Sequence, residues 1–409
     1  MAHHRSMLRT RALLLLPVGL LLTGCFQLEA PAPEPAAAQT EAVAPAMPTP
    51  DTFGPTARLE PECPPPTGRP LSATQLNTMM SRNQLPAWEA GDVGASAQLS
   101  DGRFFWVYGD TVRAPGFEGK PIVSNSVLVT SGTCTSQLLT DDSDNDPTVP
   151  ETENGLSQWP MSVVRVPPSE AQAAEGITDV VVGFYARTQR GARQWDFIVR
   201  GTSMAVFLVG QDGVPRLSTI SGLTPDEVDP THIHWGAAAT VDGDFLYVYG
   251  TRSTGVAEVY GRELYVSRLP VATPTDVETW EVWDGGRWQP EPERAAPIMD
   301  ALGGVSQMLS VDRVDGRWLA VSKRGGDAED NITVWSSDQP YGPWEARVVG
   351  SSPFQTEEGE IQYSPMAHPE IQTPSGALVV SVSRNHRDYE RLHDEPELGR
   401  PYFVEVRLD

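Results

Sequence analysis

A turn followed by a hydrophobic strand recurs five times between about residue 86 and residue 409, and this recurrence limits the fold more than any other feature. Asp101-Gly102 leads into Phe104–Tyr108, Gly176–Asp179 into Val180–Tyr185, and Asp242-Gly243 into Phe245–Tyr249. Asp315-Gly316 leads into Trp318–Val321 and Ser375-Gly376 into Ala377–Val382, so the units lie ~60–75 residues apart. A run rich in small residues precedes each turn: Gly94–Leu99, Trp159–Val163, Trp235–Val241, Gly304–Val311 and Tyr363–Ile371. A third apolar run follows each, and fourth strands are expected near Trp280–Trp283 and Trp344–Val349. Short β-rich runs bounded by Gly, Pro, Asp and Asn read as strands. Repeated four-stranded units predict blades around a central channel. The expectation is an all-β chain, a five-bladed β-propeller; a β-sandwich or two separate β-domains is the alternative that short strands leave open. Helix-period patterning is confined to Pro168–Glu175.

The N-terminal region has a different character. Arg5, Arg9 and Arg11 precede the apolar run Leu13–Leu22. That run is shorter than the ~20 apolar residues of a membrane-spanning helix and has the flanks of a signal peptide. Leu22-Thr23-Gly24-Cys25 resembles the bacterial lipobox, which implies cleavage before Cys25, lipid on that cysteine and an anchored, extracytoplasmic location in the cell envelope. From Glu29 to about Pro66 the chain is rich in Ala, Pro, Glu and Thr. Such a segment buries too little surface to offset its ordering entropy, and its prolines favour an extended spacer. The expected organisation is therefore 1–24 signal peptide, 25–66 tether and 67–409 propeller. Cys63 and Cys134, the remaining cysteines of an exported chain, are candidates for one disulfide.

A formal charge of −24 argues against a nucleic-acid partner, which needs a basic stripe. It also disfavours anionic membrane surfaces, leaving the lipid as the membrane contact. No organic cofactor is implied, because no glycine-rich phosphate loop opens a helix. Asp141, Asp142, Asp144 and Asp146 form an acidic run that suits either a structural calcium or a solvated loop. His232, His234 and His368 are the histidines that could share a metal, although their spacing is not diagnostic, and no metal site is assigned. A monomer is expected.

Hairpin geometry places the start of the first strand of each blade beside the end of the second. Gly91-Asp92-Val93-Gly94 then meets Tyr108-Gly109-Asp110-Thr111, bringing Asp92 and Asp110 to one mouth of the channel. The other four second strands end on Arg187, Arg252, Arg324 and Arg384. Two carboxylates flanking a bond are the usual apparatus of glycoside hydrolysis, and their proximity raises one of their pKa values. Asp92 and Asp110 are thus the catalytic candidates. Asn125, the four arginines and His234 are the candidates for holding sugar hydroxyls, and Trp159 and Trp235 for stacking on a sugar face. Local Asx turns for the aspartates, and ion pairs between blades for the arginines, are the competing structural roles.

The opening blade, with Gly91–Gly94, Asp101-Gly102-Arg103 and Val107–Thr111, resembles a family of secreted bacterial five-bladed propellers formerly without assigned function. Some of its members are endo-D-arabinanases. Ser336-Ser337-Asp338 with Tyr341–Trp344 is similar to the turn before the last blade of that family, and Tyr363-Ser364-Pro365 with His368-Pro369 is similar to its closing blade. The resemblance implies a glycoside hydrolase acting on an arabinan-type polysaccharide, with catalysis by the residues matching Asp92 and Asp110. Related arabinanase and xylosidase propellers spread three carboxylates over different blades, a role open here to Glu360 or Glu370. The rival expectation is a non-catalytic propeller that binds a glycan or a protein.

Overall fold

The computed structural model describes residues 56–193, 196–352 and 359–408. The expected signal peptide, Cys25 and most of the proline-rich segment lie outside these residues. Five antiparallel sheets follow one another along the chain. The first contains β1 (Ala57–Glu60), β2 (Ala90–Gln98), β3 (Phe104–Val112), β4 (Ile122–Val123), β5 (Ser126–Ser131) and β6 (Cys134–Thr140). The second contains β7 (Ser157–Val166), β8 (Ile177–Arg190), β9 (Phe197–Gly210) and β10 (Pro215–Gly222). The third runs from β11 (His234–Asp242) through β12 (Phe245–Arg252), β13 (Glu263–Pro270) and β14 (Glu281–Trp283) to β15 (Trp288–Gln289). The fourth is β16 (Ser310–Val314), β17 (Arg317–Ser322), β18 (Asn331–Ser337) and β19 (Glu345–Ser351). The last holds three strands, β20 (Glu360–His368), β21 (Leu378–His386) and β22 (Tyr402–Val406).

The first long strand of each sheet touches its counterparts in cyclic order, β2 to β7 to β11 to β16 to β20 and back to β2, so the sheets are the blades of a five-bladed β-propeller. Small residues dominate these inner strands because five backbones crowd the axis; Ala95, Ser96, Ser162, Ala238, Ala239, Ser310 and Ala367 line it. The large side chains sit between blades. Phe105 meets Phe207 at 5.2 Å between the first two blades, and Tyr247 meets Trp318 at 5.0 Å between the third and fourth. Each blade interface is a separate apolar core.

The ring closes without sharing a strand between its ends. A helix, α1 (Ala73–Ser81), lies along the open edge of β22. Its Asn77 donates to the carbonyl of Phe403 and accepts from the Phe403 N–H, each at 2.8 Å. One side chain thereby does what a neighbouring strand would do for an exposed edge. Leu76, Met79 and Met80 of α1 enter the core between the last and first blades. The helix starts at Ser72, whose hydroxyl and Gln75 form a reciprocal capping box. The short helix expected near Pro168–Glu175 is α2 (Glu170–Ala174), capped the same way by Ser169 and Gln172.

Two boundaries differ from expectation. The propeller begins before residue 67, because β1 pairs antiparallel with β6 on the outer edge of the first blade. Just beyond it, a disulfide joins Cys63 to Cys134, with 5.7 Å between their Cα atoms. The innermost strand of the fourth blade starts at Ser310 rather than Gly304. The preceding chain is held instead by Arg262, which exchanges backbone hydrogen bonds with Val305, and by the carbonyl of Ala237, which accepts from Leu309.

Candidate active site

Asp92 stands on a bulge. The pairing of β2 with β3 slips on both sides of Val93, and a bulge re-aims the side chain beside it. Val93 has a φ of +67°, a conformation that a β-branched residue adopts only under constraint. The constraint is visible: the Val93 N–H donates to Ser383 Oγ of the last blade at 2.9 Å. The carboxylate of Asp92 lies over Gly109, where a Cβ would stand 2.1 Å from Asp92 Oδ1. Only glycine leaves that room. Gly109→Ala is expected to displace Asp92; if Asp92 acts as a catalytic group, a misplacement of about 1 Å costs about 10²-fold in rate. Steady-state kinetics on a folded variant checks this.

The two carboxyls have contrasting surroundings. Asp92 Oδ2 accepts a 2.5 Å hydrogen bond from the Tyr363 hydroxyl, which itself accepts from Asn385 at 3.3 Å. Burial, with the neighbouring charge of Asp110 adding to it, pushes Asp92 up to about 7. Burial also raises Asp110, but the Arg190 guanidinium opposes that rise through a 2.6 Å ion pair. Arg190 lies over the Trp159 ring at 5.0 Å, and the Trp159 indole N–H faces Asp110 without completing a hydrogen bond. Tyr363 stays protonated, its pKa driven well above the usual phenol value by burial and by Asp92. A carboxyl that holds its proton near neutrality beside one paired with a cation is the division of labour expected of a general acid and its partner.

Several of the other expected contacts serve the fold instead. Asn125 is buried; its amide donates to the carbonyls of Val149 and Gln158, and its oxygen accepts from the Val149 N–H. Asn125→Ala would strand those backbone groups, and we expect a loss of about 2 kcal/mol in urea denaturation. Arg187 is spent on Asp226, the carbonyls of Thr202 and Thr224, and Ser203. Trp235 is a core residue against Trp280 and Tyr265. Arg252 pairs with Glu263 and lies over Tyr265, and Arg384 pairs with the buried Glu360. Arg324 is exposed beside Gly303 of the fourth blade.

Residues that the sequence did not single out as site groups complete the constellation: Arg190, Tyr363, Asn385 and Ser383. Strand β8 extends three residues beyond Arg187, which hands the arginine position at the mouth to Arg190.

The metal readings change as well. His368 ends β20, hydrogen-bonded to Ser96 and Ser381, whereas His234 starts β11, so the two stand at opposite ends of the inner strands and cannot share an ion. Glu370 joins Ser96 at the His368 end, away from the mouth. In the acidic loop, the side chains of Asp141, Asp142, Asp144 and Asp146 are exposed. Its carbonyls at Ser143, Asp144 and Asp146 point inward onto the buried Arg113 guanidinium. Among the described residues no three His, Cys, Asp or Glu side chains converge as metal ligands, and no helix is long and apolar enough to cross a membrane.

Opposite the carboxyl pair, the same face carries buried polar atoms without protein partners: His234 Nδ1 and Nε2, His232 Nε2, Arg262 Nη1 and Asp327 Oδ1. The two histidine rings lie 4.6 Å apart. His234 is held neutral, its pKa pulled well down by burial and then by Arg262. The set mixes donors with acceptors.

Fold and site together define a five-bladed propeller with paired carboxyls at one mouth. The chain belongs to the family described as a domain of unknown function, DUF5005, whose model matches residues 74–408. No curated protein matches it in sequence. Among solved structures, a candidate hydrolase from Bacteroides ovatus has 15% identity and a TM-score of 0.60, with 86% of this chain and 94% of that one covered. An arabinoxylan arabinofuranohydrolase of glycoside hydrolase family 43 from Bacillus subtilis has 13% identity and a TM-score of 0.48. That match covers 80% of this chain and 66% of the arabinofuranohydrolase. An exo-β-1,3-galactanase from Phanerochaete chrysosporium has 13% identity and a TM-score of 0.43, covering 84% and 64% of the two chains.

Proposed function

We propose that the protein is a lipid-anchored, extracytoplasmic glycoside hydrolase that cleaves an arabinan-type polysaccharide with Asp92 as general acid and Asp110 as its carboxylate partner. The observation that carries this reading is the split environment of the pair, one carboxyl hydrogen-bonded to Tyr363 and pushed up to about 7, the other ion-paired with Arg190. Asp92 gives its proton to the glycosidic oxygen as the bond to the anomeric carbon breaks. Asp110, ion-paired with Arg190, supports attack on that carbon, and water supplies the incoming hydroxyl while its remaining proton returns to the carboxyl pair. The unpartnered donors and acceptors around His234, Arg262 and Asp327 suit sugar hydroxyls, which both give and accept hydrogen bonds. Resemblance of the opening blade to endo-D-arabinanases supports the sugar, and the Leu22–Cys25 lipobox supports the anchor.

The test is glycan release. Purified protein is incubated with arabinans, arabinogalactans and other bacterial polysaccharides, and the reducing ends are counted. New ends from an arabinan support the reading. Retained binding to a polysaccharide without any release moves the assignment to a glycan-binding propeller. The rate on a cleaved substrate should fall above about pH 7, because the proton Asp92 must donate is lost there. An alkaline limb displaced by several units would remove Asp92 from the acid role.

A further inference from the structure

The Arg190 side chain has two faces in use. One is the ion pair with Asp110; the other lines a cleft of about 440 Å³ at the end of the second blade, together with Glu151, Asn154, Ser157, Gln189 and Arg200. The volume is within the range of small-molecule sites, ~300–1,000 Å³. Phe197 pairs in register with Arg190 across β8 and β9. It is 40% exposed, an unusual position for a large apolar ring on this surface, and it meets Trp159 edge-on at 4.9 Å. Trp159 in turn lies under Arg190. The wall of the cleft is held rigid: Arg200 donates to Gln189 Oε1 at 2.7 Å and to the Glu227 carbonyl. The groups that line it include amides, a hydroxyl, guanidinium groups and a carboxylate, donors and acceptors in one concavity.

We propose that this cleft, with Phe197 and Trp159 beside its Arg190 wall, is a second sugar subsite. It would hold a neutral residue of the same glycan chain beyond the one that reacts at Asp92 and Asp110. The inference rests on the glycoside hydrolase reading and deepens it. Because Arg190 belongs to both sites, a chain lying across it occupies both at once. Phe197 is then a specificity residue, and Arg190 sets the distance between the subsites.

Titration calorimetry on the Asp92→Asn protein, which keeps the cleft but not the proton donor, tests the idea with arabino-oligosaccharides and xylo-oligosaccharides of increasing length. Affinity should climb with length for one of the two series. In Asp92→Asn/Phe197→Ala that climb should shrink by about tenfold in Kd, the worth of one aromatic stacking contact. Phe197→Tyr should restore it, which loss of folding would not allow. A length-independent affinity, an unchanged climb without the Phe197 ring, or no binding of either series overturns the subsite. The hydrolase reading fails separately: hydrolysis by the parent with a flat length profile overturns the subsite alone. A Phe197-dependent climb without hydrolysis leaves the subsite and removes the catalysis.

Discussion

On the proposed hydrolase function, Asp92→Asn and Asp110→Asn are each expected to lower glycan hydrolysis by about 10³-fold, within the range that a positioned acid or base contributes. The two losses differ in kind. Asn at position 92 still accepts from Tyr363, so the geometry around Gly109 is kept and only the proton is missing. A substrate whose leaving group departs without protonation, such as a nitrophenyl glycoside, should therefore recover much of the rate in Asp92→Asn. It should recover little in Asp110→Asn, where the defect is in the attack on the anomeric carbon. Equal rescue of both variants, or of neither, would reverse or remove the assigned roles. Circular dichroism on each variant separates catalysis from folding.

The same substitution has an opposite effect on stability. Asp92 titrates near 7 in the folded protein and near 3.9 in an unfolded chain. The folded state therefore binds the proton more tightly, and stability present below about pH 4 is lost as pH rises through about 7. At pH 8 the parent carries an ionised carboxylate in a desolvated place, and Asp92→Asn does not. We expect Asp92→Asn to be more stable than the parent by on the order of 2–4 kcal/mol at pH 8, with the difference vanishing near pH 4. Denaturant melts of both proteins at the two pH values measure it, and the difference of differences cancels the other carboxylates. A pH-independent gap would mean that the burial of Asp92 is not what sets its proton affinity. A residue that costs stability in the folded state and is kept by a strained Val93 is the pattern of a site held for function.

How much of this could be read from the chain follows from how local each feature is. The blades were legible because every turn and strand pair is a hairpin written within a few dozen residues. The Asp92–Asp110 juxtaposition was legible for the same reason: one hairpin register decides it. The arginine ring was not. It assumed that all second strands end at the same height, whereas β8 runs on to Arg190 and buries Arg187 among carbonyls. Tyr363, Asn385 and Ser383 reach the first blade from the last, and closure of the ring decides that, not any local pattern. The helix that seals the ring did leave a signature, the Ser72 to Gln75 capping spacing, inside a stretch whose composition otherwise reads as irregular. Trp235 and Asn125 show the limit in the other direction, since residue types that suit sugars also suit cores and turns.

The link between Cys63 and Cys134 also decides where tension enters the molecule. A pull on the chain upstream of Ala57 first loads the short ladder between β1 and β6. It then stops at the covalent bond, which passes it into the outer edge of the first blade. The chain from Pro64 to the start of β2, including α1 and its grip on Phe403, lies within the closed loop and carries none of that load. The seam that holds the ring shut is thus mechanically isolated from a load applied upstream of Ala57. Under reducing conditions the same pull would run straight into α1 and open the ring at its closing edge.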